Sequence, residues 1–256
     1  MIKRDISMIA LVFFLTRAFF SLYTFTNIYN YIIIFLSILV SIIIIKNIKT
    51  DFLKSKFAKV IYLIILFMIF IIILNNTILF INMNYFKYNN YFVVLLSLLL
   101  ITYILGKNDI KTIGSISEIF MIIFIIISII ICIGLISLID IRNYNNYINF
   151  NKISINFIPA LIIFILYYIK NNNIMIGYIT GVISTFIDNF LLIGCLGTKI
   201  ILTYKFPGIS ILKTLNFFNF INHLDKLFSF IYLFEYTITL SLIFFIFKDT
   251  IKRLKT

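Results

Sequence analysis

The chain has no tryptophan, one histidine, two cysteines and two prolines in 256 residues, and its first glycine is Gly106. With His223 alone, histidine metal sites and Ser–His–Asp catalysis lose their usual residue. Cys132 and Cys195 both fall inside long apolar runs, which argues against a disulfide framework or a zinc site. No glycine-rich phosphate loop is present. Acidic residues number nine against 22 Lys and Arg, and a nucleophile, base and oxyanion site cannot be assembled from them. The expectation is a protein that is not an enzyme and that needs no cofactor.

What remains is apolar. Hydrophobic residues make up 62% of the chain and the mean hydropathy is +1.13, against roughly half apolar residues in a soluble domain. About eight apolar runs occupy 6–25, 28–45, 57–81, 91–106, 116–138, 157–169, 174–196 and 228–247. A run of about 18–20 such residues crosses a hydrocarbon core of roughly 30 Å as a helix, and helices satisfy their own backbone in lipid. The fold class read from this is an all-α polytopic transmembrane bundle of about eight spans, in one integral membrane domain over 1–256. Lys3 and Arg4 precede the first run as in a signal peptide, but no small-residue cleavage pattern follows it, so it reads as a retained span.

The net charge of +13 raises nucleic acid as a partner. The basic residues lie between the apolar runs, however, where they set topology, and no nucleic-acid partner is expected. With the spans above, fourteen Lys and Arg fall on one side and seven on the other, with Arg17 inside the first span completing the 22. The side that holds both termini carries the excess, which makes it cytoplasmic. A multi-pass protein of the cell membrane, in contact with lipid, follows.

The connector 198–227 is too long for a tight turn and too apolar for a solvated loop. After Pro207, which suits a helix start, Ile209, Leu212, Leu215, Phe218 and Ile221 recur at helical spacing. A helix within 208–224 is expected, lying at the outer interface or over the bundle; the alternative is that the stretch simply begins the last span.

A few polar residues interrupt the apolar runs. Arg17, near the middle of the first span, costs roughly 2.5–3.5 kcal/mol on insertion scales. It reads as an anchor for a ligand carboxylate, as an ion-pair partner, or as a side chain snorkelling to a wet rim; Thr16 beside it joins the candidate ligand contacts. Asp188 is the most central carboxylate, with Ser184 one turn earlier on the same face. It reads as a proton or cation site, or as a buried acid fixing helix packing. An approach of Arg17 to Asp188 is expected, because each otherwise lacks a counter-ion in its own span. Glu235 in the last span is a further polar-site candidate. Gly177 and Gly181 have the small-xxx-small spacing that lets helices approach closely, within one chain or, as the alternative, between two copies. Glu118 reads as part of a proton relay or, with Ser115, as a capping box at the expected start of the fifth span. Pro159 marks either a broken sixth helix, with Asn151 and Asn156 offered to a ligand, or an ordinary first turn.

Two stretches carry a resemblance. "ITYILGKNDIKTIGSISEIF", 101–120, resembles the junction of the fourth and fifth helices of spore germination permeases. There Ile110, Lys111, Thr112, Ile113, Ile116, Glu118 and Ile119 match the family pattern, while Asp109 and Ser115 depart from it. "FPGISILKTLNFFNFINHLDKLFSFIY", 206–232, is similar to a second family segment through Phe206, Pro207, Phe220, Leu227 and Phe228, with His223, Asp225 and Tyr232 replacing Arg, Glu and Trp. These permeases are the B subunits of nutrient germinant receptors, in the amino acid–polyamine–organocation transporter superfamily. The resemblance implies inverted five-helix repeats, here truncated after the eighth helix, with a small-molecule site near the bilayer midplane. It also implies germinant receptor A and C subunits as partners and, in a sporulating organism, the spore inner membrane. The expected function is to sense or carry a small nutrient such as an amino acid. A non-transporting scaffold subunit is the alternative, and an envelope-biosynthesis enzyme or flippase stands further off. The candidate ligand residues are Arg17, Thr16, Asn156, Asp188 and Glu235.

Overall fold

In a computed structural model of the protein, the described residues are 2–21, 55–86, 90–148, 162–169, 174–201, 203–214 and 224–255. They form helices α1 (Ile2–Ser21), α2 (Lys56–Tyr85), α3 (Tyr91–Lys107), α4 (Ile110–Ile136), a 3₁₀ helix (Ile141–Ile148), α5 (Ile162–Ile169), α6 (Ile174–Ile201), α7 (Pro207–Thr214) and α8 (Leu224–Lys255). No strand occurs among the described residues. The protein is an all-α bundle. The expected second span, 28–45, and the Asn151–Pro159 region lie outside the described residues.

Within α2, α4, α6 and α8 are stretches long and apolar enough to cross a membrane, and α1 and α3 carry shorter apolar stretches. Their outward faces are apolar: Phe67, Leu100, Ile122, Ile126 and Ile183 are all exposed. The interior holds polar and charged groups, Thr16, Arg17, Glu235, Thr239 and Ser241. Such a surface is unsuited to water and suited to acyl chains. The chain is a multi-pass membrane protein in contact with lipid.

Two helices form the centre. From Ala10 to Phe20 nearly every residue of α1 is buried, as expected for a helix that is apolar all round. It packs most extensively on α6 and then on α4. The second central helix, α8, packs on α1, α2, α3 and α4. The α1–α6 contact depends on two glycines. A Cβ on Gly177 would lie 2.5 Å from the Ile9 carbonyl oxygen, and one on Gly181 would lie 2.8 Å from Cβ of Thr16. The small-residue spacing therefore serves close packing inside the chain.

The first described turns of α1 and the last turns of α8 share one end of the bundle. Gly114, at the start of α4, faces Ser7, and Lys248 donates to the carbonyls of Gly106, at 3.4 Å, and Lys107, at 2.8 Å. Those are free carbonyls at the C-terminus of α3, where a cation is favourable. The same end carries a tie between helices. Tyr168 of α5 donates to Asp249, Arg253 pairs with Asp249 at 2.7 Å, and Lys59 of α2 donates to the Arg253 carbonyl at 2.6 Å.

Three expectations are refined. The capping box at Ser115 is incorrect: α4 begins at Ile110 with Asp109 as its N-cap. Ser115 is thus already more than a turn inside the helix, where its hydroxyl donates back to the Lys111 carbonyl. The extended backbone of Asn108 and Asp109 starts the helix earlier than hydropathy alone places it. Next, α6 runs to Ile201 but breaks at Gly197, whose φ of 74° is open to glycine and strained for other residues. Last, Pro207 opens α7 as a first-turn proline; Ile209, Ile211 and Leu212 are buried against α6 and α8. The remainder of the expected connector helix, 215–223, is outside the described residues.

A test follows from the glycine contact. Gly181→Leu drives a side chain into Thr16 and the Phe13 carbonyl, and overpacking of this kind costs about 1–3 kcal/mol. The expected result is a clear fall in detergent unfolding temperature, against little change for Ile183→Leu on the exposed face. Equal stability of the two variants would show that α1 and α6 do not meet there.

Candidate functional site

Arg17 sits three quarters of the way along α1 with 4% of its side chain exposed. Burying a charge there costs several kcal/mol unless partners satisfy it. Three neighbouring helices supply them. From α6, Asp188 Oδ2 lies 2.8 Å from Nη2, and Ser184 Oγ accepts a hydrogen bond from Nη1 at 2.5 Å. From α8, Glu235 Oε1 lies 3.4 Å from Nε. From α4, the Phe124 ring lies under the guanidinium at 4.3 Å, a distance that gives cation–π attraction. The expected approach of Arg17 to Asp188 is present, with Ser184 on the same helix face completing it.

The two carboxylates are held differently. Asp188 is 28% exposed and bonded to Arg17 at close range. Glu235 is 1% exposed, and neither its Oε1 nor Arg17 Nε has a hydrogen-bond partner; their ion pair lacks hydrogen-bond alignment.

Asp188 faces a cavity of about 600 Å³, its open mouth included. Arg17, Ser21 and Thr185 belong to its wall, and Lys205, Phe206, Pro207 and Gly208 close one side. The cavity therefore lies between the ion cluster and the start of α7. Its aromatic side is ordered: Phe80 meets Phe206 edge-on at 5.1 Å and Tyr232 at 4.6 Å. A chain of hydroxyls continues from it. Tyr232 and Tyr236 are bonded at 2.7 Å, Ser21 and Tyr236 at 2.9 Å, and Asn76 donates to Tyr236 at 3.1 Å. In its mix of apolar wall and few polar groups the cavity is of the kind that holds small ligands.

The structure thus brings Arg17, Asp188 and Glu235 together. Thr16, next in sequence, is turned elsewhere: it is fully buried against Gly181, its hydroxyl donates to the Val12 carbonyl, and it is not part of the cavity wall. Asn156 lies outside the described residues. Lys205, Phe206, Phe80, Ser21 and Tyr232 were not singled out as ligand contacts from sequence. Phe206 and Tyr232 did belong to the second stretch of family resemblance; Ser21 and Phe80 carry no signal in an aromatic-rich chain.

Comparison with protein families, curated proteins and solved structures finds no match to this chain. The geometry of the site therefore carries the functional argument.

The different hold on the two acids can be measured. Arg17→Met leaves Asp188 without its counter-ion, and breaking a buried pair costs roughly 3–5 kcal/mol. Glu235→Gln alters only the longer contact, in which Oε1 is not hydrogen-bonded, and is expected to cost about 1 kcal/mol or less. Unfolding in detergent should rank the variants in that order; the reverse order would show that Glu235 is the main counter-ion.

Proposed function

We propose that this chain is a spore-germination-permease-like membrane protein that senses or carries a small nutrient such as an amino acid, bound in the cavity beside Asp188. The observation that carries the reading is the cavity itself, which joins an accessible carboxylate, a lysine at the mouth and an aromatic wall. Asp188 offers an acceptor for an ammonium group. Lys205 offers a charge to a carboxylate. Phe80, Phe206 and Tyr232 offer apolar surface to a side chain. The resemblance supports it from a second direction: the stretch 206–232 supplies Phe206, Pro207, Phe228 and Tyr232 of the wall.

With both termini cytoplasmic, as the basic-residue asymmetry has it, the cavity opens to the outside, where a nutrient arrives. The chain then resides in the cell membrane, and in the inner membrane of a spore if the organism makes one. Germinant receptor A and C subunits are its partners in this reading.

The test is a thermal-shift titration of the purified protein with the common L-amino acids, one at a time. At least one should raise the unfolding temperature in a saturable way. A hydrogen bond to a charged group contributes about 1.5–3 kcal/mol, so Lys205→Ala should weaken that ligand roughly tenfold or more. Phe206→Ala should weaken it as well. A flat response to every amino acid, or a response indifferent to both substitutions, contradicts the reading.

A further inference from the structure

The ion cluster holds one guanidinium and two carboxyl groups, so with all three ionised it carries an excess negative charge in the membrane interior. Among the described residues the titratable groups that face Glu235 are few. Arg17 comes from α1 and Asp188 from α6, Tyr232 and Tyr236 flank it on α8, and Cys132 on α4 lies near the Arg17–Asp188 pair. Among the described residues of α2 and α3 the lysines are Lys56, Lys59 and Lys107, at the end of the bundle where Lys59 meets Arg253 and Lys107 meets Lys248. None of these neutralises the excess; Lys205 lines the cavity that Asp188 faces but is itself exposed.

We infer that Glu235 is a proton-binding site, occupied while Asp188 is paired with Arg17. Of the two acids it is the one that suits a proton. Asp188 has the shorter ion pair and access to the cavity; Glu235 is almost fully buried, and its Oε1 makes no hydrogen bond. A buried carboxylate with an oxygen left without a hydrogen bond is costly as an anion and much less so as a neutral acid. A metal ion suits the place poorly. It would lie against the guanidinium, and no set of three acidic, histidine or cysteine ligands exists among the described residues.

The arrangement makes the proton exchangeable. When a cationic group docks on Asp188 from the cavity, that carboxylate is shared and Arg17 requires Glu235 as its counter-ion. The Glu235 O–H bond then breaks heterolytically, the electron pair stays on oxygen and the proton leaves to solvent. One positive charge enters and one leaves, so the net charge of the site is unchanged. This exchange rests on the cavity reading above; the proton site does not.

The experiment needs no ligand. Infrared spectra of the purified full chain in lipid are recorded for the wild type, Glu235→Gln and Asp188→Asn. At neutral pH the wild type should show a protonated-carboxyl C=O band that Glu235→Gln lacks. Asp188→Asn should lack it too, because Glu235 must then ionise to neutralise Arg17, and the band should return in that variant alone as the pH falls. A wild type with no such band, or an Asp188→Asn protein that keeps it at neutral pH, overturns the inference. Size-exclusion profiles guard against reading a misfolded variant as a loss of the band. Failure of every amino acid to bind would leave these spectra as predicted, so the two proposals fail separately.

Discussion

A guanidinium in the membrane interior has to be neutralised, and the centre of this bundle is arranged around that requirement. Arg17 draws one carboxylate from α6, one from α8, a hydroxyl from α6 and a ring from α4. Four helices are therefore referenced to a single side chain. At short range inside a protein such pairs are strong, but desolvation removes much of the gain. The cluster is better understood as fixing which helices meet, and in what rotation, than as a net source of stability. Stability comes from the apolar shell, in which α1 is buried almost all round.

The geometry of approach makes the cluster possible. The side chain of Arg17 is long, yet Asp188 and Ser184 reach it at hydrogen-bond distance because α1 and α6 nearly touch at Gly177 and Gly181. Gly181 lies two turns before Asp188 on the same helix, so the contact that brings the backbones together also sets the position of the carboxylate. Beyond Asp188 the helix runs to Gly197, breaks there and leads into the turn that delivers Lys205, Phe206 and Pro207 over the cavity. Packing, charge and cavity are consequences of one stretch of chain.

Much of this was legible in the sequence. The apolar runs gave the helices, and the isolation of Arg17 and Asp188 in their spans pointed to a pair, because each lacked a nearer counter-ion. Pro207 and the spacing after it marked the start of α7. Other features were not legible. Glu235 has the same isolation as Asp188, but nothing local tells which of two acids an arginine will face; that is decided by the crossing of α1 with α8. The start of α4 was misplaced because hydropathy rises only after Ser115, whereas the helix is begun by the polar Asp109. Thr16 looked like a ligand contact by adjacency to Arg17, although neighbours on a helix point about 100° apart. The cavity wall joins residues as far apart as Ser21, Phe80 and Phe206, which only the fold can bring together.

The central claim is that Arg17 and Asp188 are energetically one unit, and a double-mutant cycle tests it most directly. The wild type, Arg17→Met, Asp188→Leu and the double variant are unfolded under one set of conditions. Residues in contact typically couple by about 0.5–3 kcal/mol, and a buried ion pair belongs at the upper end of that range. The account predicts a double variant that loses roughly 2 kcal/mol less stability than the two single losses together. Losses that add within about 0.5 kcal/mol would contradict it, because side chains that add do not depend on each other.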